Sequence, residues 1–296
     1  MSGVSRRESG EPAPTRRDGA SRQRVAGHTL WMFDFDNTLA PLEPAVDWAG
    51  SRRELQAWLG AQGVAEALFE EFPRGNLVLY EALRARLRAG GDTARAVLAR
   101  GELAAALGAD GGVPERGGGL KAAAALRAML DGASAIIERH ELAGVGAVAP
   151  APGAIELLRT LRAAGATVAI VTSNSSRTAA AWLRIWAAER LVDPPVLIDL
   201  VDLIVGRDSG LALKPSPATV EHALAACAVA PADAAFVGDS EADLNAAKAA
   251  AVRFYGVNAK AEGRDRLIAL GASPVFSSPA AMGIYVGLQA DPARLE

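Results

Sequence analysis

The stretch Leu30–Pro41, Leu-Trp-Met-Phe-Asp-Phe-Asp-Asn-Thr-Leu-Ala-Pro, decides how the rest of the chain is read. It opens as an apolar, aromatic-rich run with strand propensity. Asp34 and Asp36 follow, two positions apart. Strand geometry repeats every two residues, so the pair is expected to share one face while Phe33 and Phe35 take the other. Asn37 and Pro41 break the strand. Two carboxylates at the end of a buried strand are costly to desolvate unless something compensates them, and a divalent cation would do so. An isolated Asp-x-Asp pair is a common loop feature, so its weight depends on what lies downstream.

The 296 residues suit one domain carrying an insertion, and a hydrophobic content of 50% allows a large core. A net charge of −3 gives no support for nucleic acid or an anionic membrane as a partner. No apolar run approaches the length of a membrane span. The single cysteine, Cys227, lies in an Ala-rich helical pattern and reads as a buried thiol; an intramolecular disulfide is excluded. Residues 1–26 are rich in Ser, Arg, Gly, Pro and Glu and are expected to be disordered. They carry neither the apolar core of a secretory signal nor the amphipathic pattern of a transit peptide, so the protein reads as cytoplasmic.

Residues 42–149 show helical periodicity throughout: Leu55, Trp58 and Leu59; Leu68, Phe69 and Phe72; Leu79, Leu83 and Leu87; Leu126, Met129 and Leu130; Ile136, Ile137 and Leu142. A Gly-rich loop, Gly108–Gly119, is predicted between two helical groups. It is not a phosphate-cradling loop, because Gly118 stands where lysine would be needed. From Pro150 the pattern alternates. Helices are predicted at Ile155–Ala164, Ser176–Arg190, Ala218–Ala228, Ala242–Ala251 and Arg264–Leu270. Strands are predicted at Thr167–Thr172, Leu203–Val205, Ala235–Gly238, Val252–Val257 and Pro274–Phe276. Such alternation means a doubly wound parallel α/β sheet, to which the opening strand belongs. The predicted organisation is an α/β core of residues 27–40 and 150–288 with an all-helical insertion over 41–149.

In a doubly wound sheet, functional groups collect beyond the carboxyl ends of the strands. Four such places carry suggestive residues: Asp34 and Asp36; Thr172-Ser173-Asn174; Lys214 in Leu-Lys-Pro-Ser-Pro; and Gly238-Asp239-Ser240-Glu241-Ala242-Asp243. Singly, each has a bland explanation, such as a strand terminus, a solvated lysine or a helix cap. Their occurrence together, in order, and each at a strand end or in the loop after it, is what carries weight.

This ordered set resembles the haloacid dehalogenase superfamily of phosphotransferases, across about residues 30–40 and 150–280. Pro152-Gly153 and Lys214-Pro215-x-Pro217 resemble the branch containing phosphoglycolate phosphatase and β-phosphoglucomutase. The usual wording of the first motif is Asp-x-Asp-Gly-Thr. Here Asn37 replaces Gly, and Asn tolerates a left-handed backbone better than most residues. The resemblance implies Asp34 as nucleophile and Asp36 as general acid and base. It implies Mg²⁺ held by Asp34, the backbone carbonyl of Asp36, and Asp239, with Asp243 bonding metal-bound water or Lys214. Thr172, Ser173, Asn174 and Lys214 would hold the phosphoryl group. The second aspartate, Asp36, argues against dehalogenation. The insertion sits where this family places a helical cap, which implies a small phosphate ester as substrate, with the protein a monomer or homodimer.

Within the insertion, Arg74 and Asn76 in Phe72-Pro-Arg-Gly-Asn76 are candidates for reading the substrate, and Asp47 and Trp48 lie near its first hinge. His28, His140 and His222 show no metal-ligand spacing. Trp182 and Trp186 are expected in the core. The function implied is Mg²⁺-dependent hydrolysis of a phosphate monoester such as phosphoglycolate, a sugar phosphate or a nucleotide. The alternatives are a phosphosugar mutase and a non-catalytic phospho-ligand binding module.

Overall fold

The structure is a computed structural model and describes residues 24–89, 91–98, 118–190 and 200–290. Its centre is a parallel sheet in the order β3-β2-β1-β4-β5-β6. The strands are β1 (Leu30–Phe33), β2 (Thr167–Val171), β3 (Leu203–Val205), β4 (Ala234–Gly238), β5 (Arg253–Val257) and β6 (Val275–Phe276). The chain winds outward from β1 through β2 to β3. It then returns to the other side of β1 and winds outward again. The reversal leaves a crevice beside β1 at the carboxyl edge, which is where such sheets bind ligands.

β1 is buried along its whole length. Its residues alternate between the two layers: Trp31 and Phe33 enter one apolar cluster, Leu30 and Met32 the other. A strand covered on both faces is expected to read as a continuous apolar run, as this one does. The strand ends at Phe33, one residue before the first aspartate. The alternation runs on past the end of the strand: Phe33 and Phe35 enter the same apolar cluster, Asp34 still donates its backbone N–H to the Val237 carbonyl, and the turn begins at Asn37. Asn37 occupies the left-handed region of that turn, with φ 59°.

Helices cover both faces of the sheet. Between β1 and β2 lie α1 (Trp48–Ala61), α2 (Glu66–Glu71), α3 (Asn76–Ala89), α4 (Gly91–Val97) and α5 (Gly118–Val145). α6 (Ala154–Ala163) follows them and leads into β2, and after β2 come α7 (Ser176–Arg190), α8 (Ala218–Cys227), α9 (Glu241–Ala249), α10 (Ala261–Ala269) and α11 (Pro279–Ala290). The helices of the insertion build an apolar core of their own from Leu55, Leu59, Leu79, Leu83, Leu130 and Ile137, among others. Leu213, next to Lys214, joins that core from the loop after β3. Leu142, expected to be internal, is 37% exposed.

Val25 is buried, and its backbone pairs with that of His28 in both directions. Val25 and Ala26 thus pack onto the core, and residues 1–23 of the predicted tail lie outside the described residues. Gly118 and Gly119 open α5, while the rest of the predicted Gly-rich loop also lies outside them. Among the described residues no helix is long and apolar enough to cross a membrane.

The helix α11 has no counterpart in the sequence reading, because Gly283 and Gly287 weaken its helical signal. It seats Met282 and Val286 in the core. Its start meets the start of α6 at Gly153, which has φ +81°, and a Cβ there would lie 2.4 Å from the Ala280 Cα. Gly153→Ala is therefore expected to destabilise the fold by about 1–3 kcal/mol, read as a lower urea midpoint. An unchanged midpoint would mean that the two helices do not meet this closely.

Candidate active site

Register assembles the site. Phe33 stands level with Ile170 of β2 and Val237 of β4. One step beyond, Asp34 donates its backbone N–H to the Val237 carbonyl at 2.8 Å, and Thr172 donates its own to Val205 at 2.9 Å. The ends of three neighbouring strands thus deliver Asp34, Thr172 and Asp239 to one edge.

Lys214 reaches this edge from the loop after β3. Its ammonium lies 2.5 Å from Asp34 Oδ1 and 2.5 Å from Asp243 Oδ1, and donates to the Val171 carbonyl at 3.2 Å. The loop after β4 turns into α9 through a capping box. Ser240 Oγ accepts from the Asp243 N–H, and Asp243 Oδ2 accepts from the Ser240 N–H and hydroxyl. Asp243 is thereby fixed at both oxygens, one by its own cap and one by Lys214. Only glycine fits at Gly238, where a Cβ would come within 2.5 Å of the Asp243 side chain.

Asp34, Asp239 and Asp243 each offer a carboxylate oxygen within 4.8 Å of the others. Burial pushes the Asp34 carboxyl up to about 7, against the pull of Lys214 and with the push of Asp243. Burial pushes Asp239 up to about 8, with Asp34 and Asp243 adding to the rise. Burial alone would depress Lys214, but Asp243 and Asp34 outweigh it and hold its pKa above the usual lysine value. Three carboxylates thus face one ammonium, and two negative charges are left uncompensated when all are ionised. An all-oxygen donor set with that surplus fits a hard divalent cation.

Asp36 stands apart from this cluster. Its Oδ1 accepts from the backbone N–H groups of Leu42 at 2.8 Å and Glu43 at 2.9 Å, the first residues of the insertion. Burial raises its pKa to about 6, partly offset by those amides. Its side chain is therefore not aimed as a cation ligand, in keeping with a role for its backbone carbonyl alone.

Thr172 is buried; its hydroxyl donates to Asn174 Oδ1 and accepts from the Asn174 N–H, each at 3.1 Å. The Asn174 carboxamide is used within the protein, since its Nδ2 donates to Glu141 at 3.0 Å. Asn76 is buried and donates to the Trp48 carbonyl, joining α3 to α1, while Arg74 is exposed. Asp47 caps α1 by accepting from Gly50 N–H. His28 bonds Tyr255 and His140 bonds Glu54. Trp182 is fully buried and Trp186 packs at the edge of the same cluster.

The sequence reading passed over Glu141 and Arg207, a fully buried ion pair at 2.9 Å behind the Thr172 loop. A signal was present: Leu130, Ser134, Ile137, Glu141 and Val145 form one stripe of α5, and two of the five are polar.

A family model described as haloacid dehalogenase-like hydrolase matches residues 30–251. The chain belongs to the haloacid dehalogenase-like hydrolases. Among its relatives, a phosphoglycolate phosphatase of Pseudomonas putida is 32% identical over 123 residues, covering 42% of this chain and 40% of the relative. A phosphoglycolate phosphatase of Nitrosospira multiformis is 38% identical over 118 residues, covering 38% and 47%. The chain thus spans less than half the length of either. A hydrolase from Pseudomonas syringae shares the fold, with a TM-score of 0.53 at 18% identity over 88% of this chain and 98% of that one. In this haloacid dehalogenase-like hydrolase the four ordered sequence motifs come together at one sheet edge.

The raised carboxyl pKa values have a consequence for stability. A carboxyl titrating near 3.8 when unfolded and near 7 or 8 when folded binds a proton more tightly in the native state. Its favourable contribution is complete below the unfolded value and is lost as pH rises through the folded one. Melting temperatures of the chelator-treated protein are therefore expected to fall by several degrees between about pH 5 and about pH 8.5. Added divalent cation should restore stability more at the higher pH. Equal cation-induced shifts at both pH values would contradict the charge surplus.

Proposed function

We propose that this protein hydrolyses a small-molecule phosphate monoester through an aspartyl-phosphate intermediate. The observation that carries the reading is the arrangement of Lys214 between Asp34 and Asp243, with Asp239 alongside, at the carboxyl edge of the sheet. The curated relatives reported above are phosphoglycolate phosphatases, which favours transfer of the phosphoryl group to water.

In this mechanism an Asp34 carboxylate oxygen attacks phosphorus and the bond to the ester oxygen breaks. Asp36 gives its proton to the departing oxygen; a carboxyl titrating near 6 can both hold and release a proton near neutrality. Asp36, now ionised, takes a proton from water as that water attacks phosphorus. The Asp34–phosphorus bond then breaks, and inorganic phosphate leaves. Lys214 and Thr172 hold the phosphoryl oxygens in line. Mg²⁺ fits the all-oxygen set of Asp34, Asp239 and the Asp36 carbonyl, and would supply positive charge against the attacking and attacked anions. The helical insertion acts as a cap that admits small esters and excludes larger ones. Arg74 and Asn76 belong to the insertion, and of the two only exposed Arg74 is open to substrate.

A phosphate-release screen over small monoesters, phosphoglycolate included, is expected to show activity that needs Mg²⁺. Asp34→Asn should reduce it to background. Asp36→Asn should lower kcat by about 10²–10⁴-fold while leaving Mg²⁺ binding by calorimetry largely intact. Full activity in Asp34→Asn would overturn the mechanism. Turnover that requires a sugar bisphosphate activator would identify a mutase instead.

A further inference from the structure

Glu141 and Arg207 lie behind the site, and their side chains are 0% exposed. Glu141 comes from α5, late in the insertion. Arg207 comes from the turn after β3. An ion pair this deep is a poor source of stability, because desolvating two charges offsets most of their attraction. Two apolar residues of similar volume would pack α5 against the core as well.

What an apolar pair could not do is hold the loop after β2. Glu141 Oε1 accepts from Asn174 Nδ2 at 3.0 Å, and Oε2 accepts from the Ser175 N–H at 3.2 Å and the Thr178 hydroxyl at 3.0 Å. Arg207 Nη1 donates to the Ser173 carbonyl at 2.9 Å, and the Arg207 N–H donates to the Asn174 carbonyl at 2.8 Å. Arg207 Nε donates to Ser134 Oγ at 3.0 Å, two helical turns before Glu141 on the same face of α5. Asn174 passes the constraint on, since both its side chain and its N–H bond the Thr172 hydroxyl. An unbroken chain of hydrogen bonds runs from Glu141 through Asn174 to Thr172.

We propose that Glu141 and Arg207 are positioning residues that set the Thr172–Ser175 loop in the geometry that receives phosphoryl oxygens, so that the insertion helix α5 tunes catalysis without touching substrate. This rests on the reading of Thr172 as a phosphoryl-holding residue.

The test uses the full-length Mg²⁺-loaded enzyme with p-nitrophenyl phosphate as substrate and inorganic phosphate as inhibitor. Glu141→Gln keeps the shape but removes the charge. The double variant Glu141→Leu/Arg207→Met leaves no unpaired buried charge and is expected to melt near the parent temperature. Both should lower kcat, the double by about 10²-fold, and weaken inhibition by phosphate, with Mg²⁺ affinity unchanged. In a Thr172→Val background, the loss caused by Glu141→Gln should largely disappear, because both changes break one chain. A well-folded double variant, or Glu141→Gln, with parental kcat and phosphate inhibition would overturn the proposal. So would an undiminished Glu141→Gln loss in the Thr172→Val background. If Thr172→Val alone changes neither kcat nor phosphate inhibition, the reading of Thr172 itself fails, and the proposal falls with it.

Discussion

Asp34, Asp239 and Asp243 crowd three carboxylates into a buried space, and the ammonium of Lys214 is what lets the chain close around them. It binds Asp34 and Asp243 at 2.5 Å each and leaves Asp239 without a cationic partner among these groups. Much of the surrounding architecture maintains that balance. β1 delivers Asp34, and the register with β4 delivers Asp239 beside it. The capping box of α9 turns Asp243 inward, and Gly238 gives it room. The residual charge is a reserve of electrostatic energy. It is unfavourable while empty and becomes favourable when positive charge enters.

The insertion is joined to this arrangement at both of its ends. On entry, the amides of Leu42 and Glu43 hold Asp36. On exit, Glu141 holds the loop after β2 directly and Ser134 holds it through Arg207. Between them, Arg88 at the end of α3 donates to the Gly210 carbonyl at 2.7 Å, and Leu213 is packed into the insertion's core. The parts that would choose a substrate and the parts that would transform it thus share hydrogen bonds and apolar contacts.

The sheet and the four strand-end motifs were legible in the sequence because each is a local signal. An apolar run, a break and a polar residue at the break need no knowledge of distant chain. Asp34, Thr172 and Asp239 could be placed that way, whereas Lys214 lies in the loop beyond β3 and was placed by the order of the motifs. The direction of Asp36 could not be read, because the amides of Leu42 and Glu43, beyond the turn, orient that side chain. The inward turn of the Asn174 carboxamide could not be read either, because it bonds Glu141, which lies 33 residues earlier. The pairing of Glu141 with Arg207 spans 66 residues. The stripe of α5 marks Glu141 as inward-facing but does not name its partner, and nothing local distinguishes Arg207 from the solvated charges of the chain. α11 was missed because its burial against α6, and not its own propensity, makes it helical.

The dual allegiance of α5 also bears on where this chain could be cut and recombined. Met129, Leu130, Ala133 and Ile137 belong to the insertion's core, whereas Ser134 and Glu141, on the same helix, serve the loop after β2. A recombination event that exchanged the whole segment up to residue 149 would carry away the loop's support along with the other helices of the insertion. A crossover placed before Ser134 would swap the helical module and leave the anchoring half of α5 behind. A chimera that is to keep the bonds to the loop after β2 must therefore keep residues 134–145 with the sheet.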